Sequence, residues 1–135
     1  MDIHRGRLLD HLHLRVADLE ASKRFYRAVF TALEQPDVVQ EGPGFFYADE
    51  LFVDVADTYV THVHVAFQAP SRDAVQAFHQ AALASGGRDH GAPGERTYHP
   101  GYYAAFVLDP DGNNIEAVYH GPFQRNAPSV VITPT

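Results

Sequence analysis

The sequence predicts an α+β protein made of two tandem βαβββ units, and three features carry that reading. The first is an internal repeat. Shifting HLHLRVADLEASKRFY (11–26) by 53 positions onto HVAFQAPSRDAVQAFH (64–79) lays His11 on His64, Leu14 on Phe67, Asp18 on Ser71 and Phe25 on Phe78. The second is a change of period inside each copy, from alternation to helical spacing, so that each copy reads as a strand followed by an amphipathic helix. The third is a set of short apolar runs after each helix, separated by turn residues, which read as further strands. Each unit then has one sheet face for its helix to cover. The other faces curl around a shared cavity.

The elements follow in order. Residues Leu8 to Val16 alternate as a half-buried strand does. Asp18 is a good N-cap and Glu20 favours the first turn. Leu19, Ser22, Tyr26, Val29 and Leu33 keep helical spacing, with Phe25 and Phe30 widening the apolar face. This helix should end near Gln35, because Pro36 disfavours its continuation. Short strands are expected at Val38–Val39, Phe45–Tyr47 and Leu51–Val55, punctuated by Gly42-Pro43-Gly44 and Asp49-Glu50. The second unit opens with a strand from Thr61 to Gln68. Its helix starts after the N-cap Ser71, buries Val75, Phe78 and Ala82, and stops at Gly86-Gly87. Residues 88–100 read as a polar loop. Tyr102–Leu108 and Asn114–His120 read as strands joined by Pro110-Asp111-Gly112-Asn113, a strong hairpin signal. The whole chain, 1–135, reads as one domain with units at 8–58 and 61–120 and an extended tail at 121–135.

Composition narrows the chemistry. The formal net charge is −7, and the basic residues are scattered. That disfavours nucleic acid, which needs clustered Lys and Arg against phosphates. No apolar run approaches the roughly 20 residues of a membrane span. The start, MDIHRGR, lacks the apolar core of a signal peptide. The expectation is therefore a cytoplasmic protein with neither nucleic acid nor membrane as partner. There is no cysteine, so any metal site must draw on His, Asp, Glu or Tyr. Those donors suit zinc, nickel, iron or manganese.

A single histidine on a strand is usually structural or at the surface. Two at matching places in a duplicated strand can instead form a two-His metal site, which makes metal-centred chemistry the leading reading. His13 and His62 share strand faces with His11 and His64, so either replaces its neighbour if the register slips by two. His11 and His64 are preferred because they hold the same position relative to their helices. Pairing Asp109 with Asn114 across the hairpin would set Val107 opposite Glu116. Tyr103, Ala105, Val107, Glu116, Val118 and His120 would then share one face, as a pocket floor. Tyr103 would donate to a substrate oxygen, and His99, Tyr102 and His120 would rim the cavity.

Three motifs together resemble the vicinal oxygen chelate superfamily, which includes glyoxalase I, bleomycin-resistance proteins, fosfomycin-resistance thiol transferases and extradiol dioxygenases. They are LDHLHLRVADLEASKRFY (9–26), HVAF (64–67) and AFVLDPDGNNIE (105–116). The resemblance implies metal ligands at His11, His64 and Glu116. Asp54, in the LFVDV run (51–55), is the carboxylate available where glyoxalase I has a further glutamate, though it is one methylene shorter. The implied activity is that of a glyoxalase I-like lyase or isomerase on a small α-oxygenated substrate, free or as a thiol adduct. A divalent ion would be chelated by substrate oxygens, and Glu116 or Asp54 would shuttle the proton. The resemblance also implies a homodimer, since such sites often lie between units of two chains. Two rivals come from the same resemblance. One is an extradiol dioxygenase using Fe(II) on the same donors. The other is a bleomycin-resistance-like protein that binds a drug without catalysis. Thiol transfer to an antibiotic epoxide ranks lower, because no potassium-loop signature is evident.

Overall fold

The computed structural model of the chain describes residues 3–5 and 8–135. A short strand β1 (Ile3–Arg5) precedes the first unit. That unit comprises β2 (Leu12–Val16), α1 (Leu19–Ala32), β3 (Val39–Gly42), β4 (Phe45–Ala48) and β5 (Leu51–Val55). Its four-stranded sheet runs β2-β5-β4-β3, with β2 parallel to β5 and the other pairs antiparallel. Asp18 caps α1 by accepting from the Ala21 amide at 3.1 Å. The helix ends before Gln35: Glu34 turns left-handed (φ 66°), and the Gln35 amide reaches back to the Phe30 carbonyl at 2.8 Å. This is a Schellman closure of the last turn.

The second unit comprises β6 (His64–Gln68), α2 (Arg72–Ala84), β7 (Arg88–Glu95), β8 (Tyr103–Leu108) and β9 (Asn114–Tyr119). Its sheet runs β6-β9-β8-β7, the same order as the first. Gly86 (φ 94°) stops α2. At Gly87 a Cβ would lie 2.8 Å from the Ala82 carbonyl oxygen and 2.8 Å from the Phe25 ring, so only glycine lets the two units close here.

One sequence expectation is corrected at β7. Residues 88–100 were expected to be loop, yet Arg88–Glu95 form an edge strand against β8. Its RDHGAPGE sequence has little strand propensity, and edges and bulges tolerate Gly and Pro where central strands do not. The pairing shows this, with register irregularities on either side of Gly91. The strand completes the second βαβββ unit. The tail adds β10 (Val130–Ile132), antiparallel to β1. Before it, Arg125 donates to the Gln68 side-chain oxygen at 2.6 Å, beside a cleft of about 590 Å³ lined by Gln68 and Phe123 to Ala127.

Both helices and one face of each sheet share a single hydrophobic core. Leu14, Val16, Phe25, Tyr26 and Phe46 of the first unit join Val75, Phe78, Val107 and Ile115 of the second. Burying side chains of this size contributes about 1.5–3 kcal/mol each. Phe30 of α1 meets Phe67 of β6 edge-on at 5.0 Å, which locks the units together. Each sheet therefore turns its other, open face away from the shared core.

The Asp109–Asn113 turn fastens this arrangement. Buried Asp109 accepts from the Asp111 and Asn113 amides, from the Asn113 side chain and from the Tyr26 hydroxyl, the last at 2.6 Å. Asp111 accepts from the Ala17 amide at 3.0 Å. The Asn113 side-chain oxygen accepts from the Val63 amide at 2.8 Å, which fixes β6 beside β9. Burial, then the Asp109 charge, push the Tyr26 hydroxyl well above its usual value of 10.0. Unfolded Tyr26 releases its proton near that value while folded Tyr26 holds it. Its contribution is complete below pH 10 and is lost as the pH rises further. Urea melts between pH 8 and 11 should show a steeper alkaline loss for the native chain than for Tyr26→Phe.

Candidate active site

The register across the last hairpin decides which side chains share the open face. Leu108 pairs with Asn114 and Phe106 with Glu116. This corrects the expected pairing by one residue, because the Asp109–Asn113 turn holds five residues inside the closing pair. A slip of one exchanges the faces of a strand. Tyr103 consequently lies on the core side, where its hydroxyl accepts from Gln76 of α2 at 2.9 Å and Arg72 covers its ring. The position proposed for it at a substrate oxygen is not where the chain puts it. Ala104 and Phe106 occupy the open face instead.

On that face Glu116 is almost fully buried, and both of its oxygens are engaged. Oε1 lies 3.1 Å from His64 Nε2. Oε2 accepts a short hydrogen bond from the Tyr102 hydroxyl. The preceding Asn114 carbonyl accepts from His64 Nδ1 at 2.9 Å, and Phe106 stacks on the imidazole. A ring nitrogen facing a carbonyl must carry its proton. With Nδ1–H committed to that carbonyl, Nε2 is the nitrogen turned to the Glu116 oxygen, where a shared proton or a bound cation would offset the carboxylate charge. A backbone carbonyl holding Nδ1–H is the usual way a metal-binding histidine is oriented. Asn114 Oδ1, on the same face, is buried without a hydrogen-bond partner. A carboxylate, an imidazole nitrogen and an amide oxygen on one face are donors of the kind divalent ions take, though they make only part of a coordination shell.

Burial, then the hydrogen bond to Glu116, push the Tyr102 hydroxyl up to about 12. It remains a donor at neutral pH and keeps Oε2 occupied, leaving Oε1 for a ligand. Tyr102→Phe should weaken divalent-ion binding by about 10–100-fold, the usual effect of losing a group that orients a ligand; equilibrium dialysis reads it. Around Tyr102 lie His99 and His120, joined Nε2 to Nδ1 at 2.8 Å.

The first unit's open face carries His13, Arg15, Phe52 and Asp54. His13 Nε2 lies 2.7 Å from Asp54 Oδ1, and Arg15 Nε lies 3.4 Å from the same oxygen. His11 precedes β2, pairs with the adjacent Asp10 at 2.8 Å and is 61 % exposed. Asp54 is therefore already engaged by a histidine and an arginine. Among the described residues no three His, Asp or Glu side chains gather closely enough to hold an ion. The structure brings together His64 and Glu116, and His13 and Asp54, but not His11 with either pair. Sequence reading underrated Tyr102 and His13. The five-residue span of the turn was the available signal for Tyr102.

The sequence profile of the glyoxalase/bleomycin resistance protein/dioxygenase superfamily matches residues 8–117. The chain belongs to that superfamily. Among solved members, a glyoxalase/bleomycin resistance protein from Albidiferax ferrireducens T118 is 29 % identical. The match covers 83 % of this chain and 98 % of that one, with a TM-score of 0.69. A glyoxalase-related enzyme from Fulvimarina pelagi shares the fold at 20 % identity and a TM-score of 0.71, with 96 % and 99 % covered. A glyoxalase I variant from Zea mays shares it at 24 % identity and a TM-score of 0.54, over 80 % of this chain and 44 % of that one. No match is found among curated proteins. No helix among the described residues is long and apolar enough to cross a membrane.

Proposed function

We propose that this superfamily member is a metal-dependent, glyoxalase I-like lyase or isomerase acting on a small α-oxygenated substrate. The observation that carries the proposal is the His64–Glu116 pair, with Nδ1 committed to a carbonyl and Nε2 aimed at a buried carboxylate oxygen. A divalent ion bound there would polarise a substrate carbonyl and acidify the neighbouring C–H bond. Glu116 would release Oε1 from the ion, take that proton from one carbon on this oxygen and return it to the next. Its burial and the Tyr102 hydrogen bond hold the carboxylate in one orientation while it does so. His64 and Glu116 would hold the ion from the second unit, with zinc, nickel, iron or manganese compatible with the donors.

Two ligands do not complete a centre. By resemblance the remaining ligands would come from a second copy, in a homodimer in which the first unit of one chain faces the second unit of another. By resemblance the first unit would supply His11.

Elemental analysis and reconstitution of the purified protein test the proposal. About one equivalent of zinc or nickel per chain, with turnover of a thiol adduct of an α-ketoaldehyde, is the expected result. Iron with oxygen uptake on a catechol would move the assignment to the extradiol dioxygenase reading. Failure to bind any of these ions, with retained drug binding, would replace it by the bleomycin-resistance reading.

A further inference from the structure

Arg96 holds a positive charge beside the candidate site, and among the described residues no carboxylate pairs with it. Arg15, Arg27 and Arg72 each meet an aspartate or a glutamate. Glu95, next to Arg96 in the chain, is taken by Arg72 at 2.7 Å. The Arg96 guanidinium donates instead to backbone oxygens, from Nη2 to the Ala92 carbonyl at 2.8 Å and from Nη1 to the Glu95 carbonyl at 3.4 Å. Each of these nitrogens keeps a second N–H, and Nε keeps its own. The seat is built for this side chain. Its guanidinium carbon lies 5.4 Å from the centre of the Phe106 ring, and the same ring stacks on His64. A Cβ at Gly91 would come within 3.4 Å of Nη2, and one at Gly94 within 3.2 Å of Nη1. Two glycines of β7 therefore clear the floor on which the guanidinium lies. The Arg96 amide donates to the Tyr102 carbonyl at 2.8 Å, which fixes where the side chain starts.

Gly91 pairs with Phe106, and Phe106 with Glu116, across one sheet. The guanidinium over β7 and the carboxylate on β9 therefore stand at about the same height on the open face, two strand spacings or about 10 Å apart, with Phe106 between them. The Arg96 charge is felt at the Tyr102 hydroxyl, where it opposes the upward push of burial and Glu116. We infer that Arg96 binds a carboxylate of the substrate, which makes the substrate an α-oxygenated acid whose carboxylate lies about 10 Å from the oxygens held at Glu116 and His64. This rests on the metal reading proposed above and deepens it by naming the substrate class. A carboxylate presents two oxygens in one plane, which the free N–H groups of a guanidinium match. Phe106 offers the intervening atoms an apolar surface. The chain has a formal net charge of −7 and repels anions at long range, so an anionic substrate needs a fixed cation where it docks.

Two linear probes test this: 2-oxosuberate, which ends in a far carboxylate, and 2-oxo-octanoate, which has a methyl group in its place. Each is titrated into the full chain with and without zinc, followed by calorimetry and by the arginine Nε–H signals in ¹H–¹⁵N NMR spectra. The expected result is a shift of the Arg96 signal with the diacid and none with the monoacid, and about tenfold tighter binding of the diacid. Arg96→Gln, checked by thermal melting, should bring the two affinities within about twofold of each other. Equal affinities in native protein, or a preference that survives in Arg96→Gln, overturn the inference. If zinc binds and the Arg96 signal never moves, the inference falls and the metal reading stands. If zinc does not bind, the metal reading falls, and the zinc-free chain decides the carboxylate site by itself: a shift of the Arg96 signal with the diacid alone keeps it, and no shift overturns it.

Discussion

Replacing Glu116 by Gln should lower divalent-ion affinity by about a hundredfold or more, roughly 2.7 kcal/mol. The substitution keeps the side chain's shape and leaves an oxygen for Tyr102 to donate to, so it isolates the charge. That charge is nearly enclosed by protein and faces Nε2 of His64, where an ion gains most from a full negative partner. Losing a group that merely orients a ligand costs about 10–100-fold, and losing the ligand's charge should cost at least the upper end. His64→Ala should have an effect of the same order. Isothermal titration of metal-free protein measures both. Unchanged affinity in Glu116→Gln would remove the carboxylate from the centre and leave the His64 geometry without a chemical account.

Asp109→Ala should produce the largest loss of stability, about 3–5 kcal/mol and a melting temperature lower by about 10 °C or more. Asp109 is buried and accepts four hydrogen bonds, from two amides of its own turn, the Asn113 side chain and the Tyr26 hydroxyl. Removing it strands several donors in the interior, and each unsatisfied group costs about 1–3 kcal/mol. The same turn sets β6 beside β9 through Asn113 and the Val63 amide, so the loss should spread to the site. Asp109→Asn keeps acceptor capacity on one oxygen and should be milder. Denaturant melts of the three proteins check this order; equal stability of Asp109→Ala and native would show that the turn does not hold the units together.

Local chemistry made much of this protein legible in its sequence. Asp18 and Ser71 announce helix starts, since a short polar side chain before an amphipathic run satisfies the first amides, and both cap their helices here. Alternation in the strands placed His64 and Glu116 on one kind of face, and the D-P-D-G segment marked the hairpin. The repeat, visible as a 53-residue shift, carried the fold class.

Tertiary structure decided what depends on registration between segments far apart in the chain. The hairpin closes on Leu108 and Asn114, one residue from the Asp109–Asn114 closure expected of a tighter turn. The reason is that Asp109 gathers its own turn's amides into a wider loop. That single step moved Tyr103 into the core and gave Phe106 the open face. Strand β7 was hidden because an edge strand needs no strong propensity when a neighbour supplies its hydrogen bonds. The meeting of His13 with Asp54, 41 residues apart, follows from the parallel pairing of β2 with β5. Spacing along a chain can identify a histidine that suits a metal, but only strand pairing determines which carboxylate it faces.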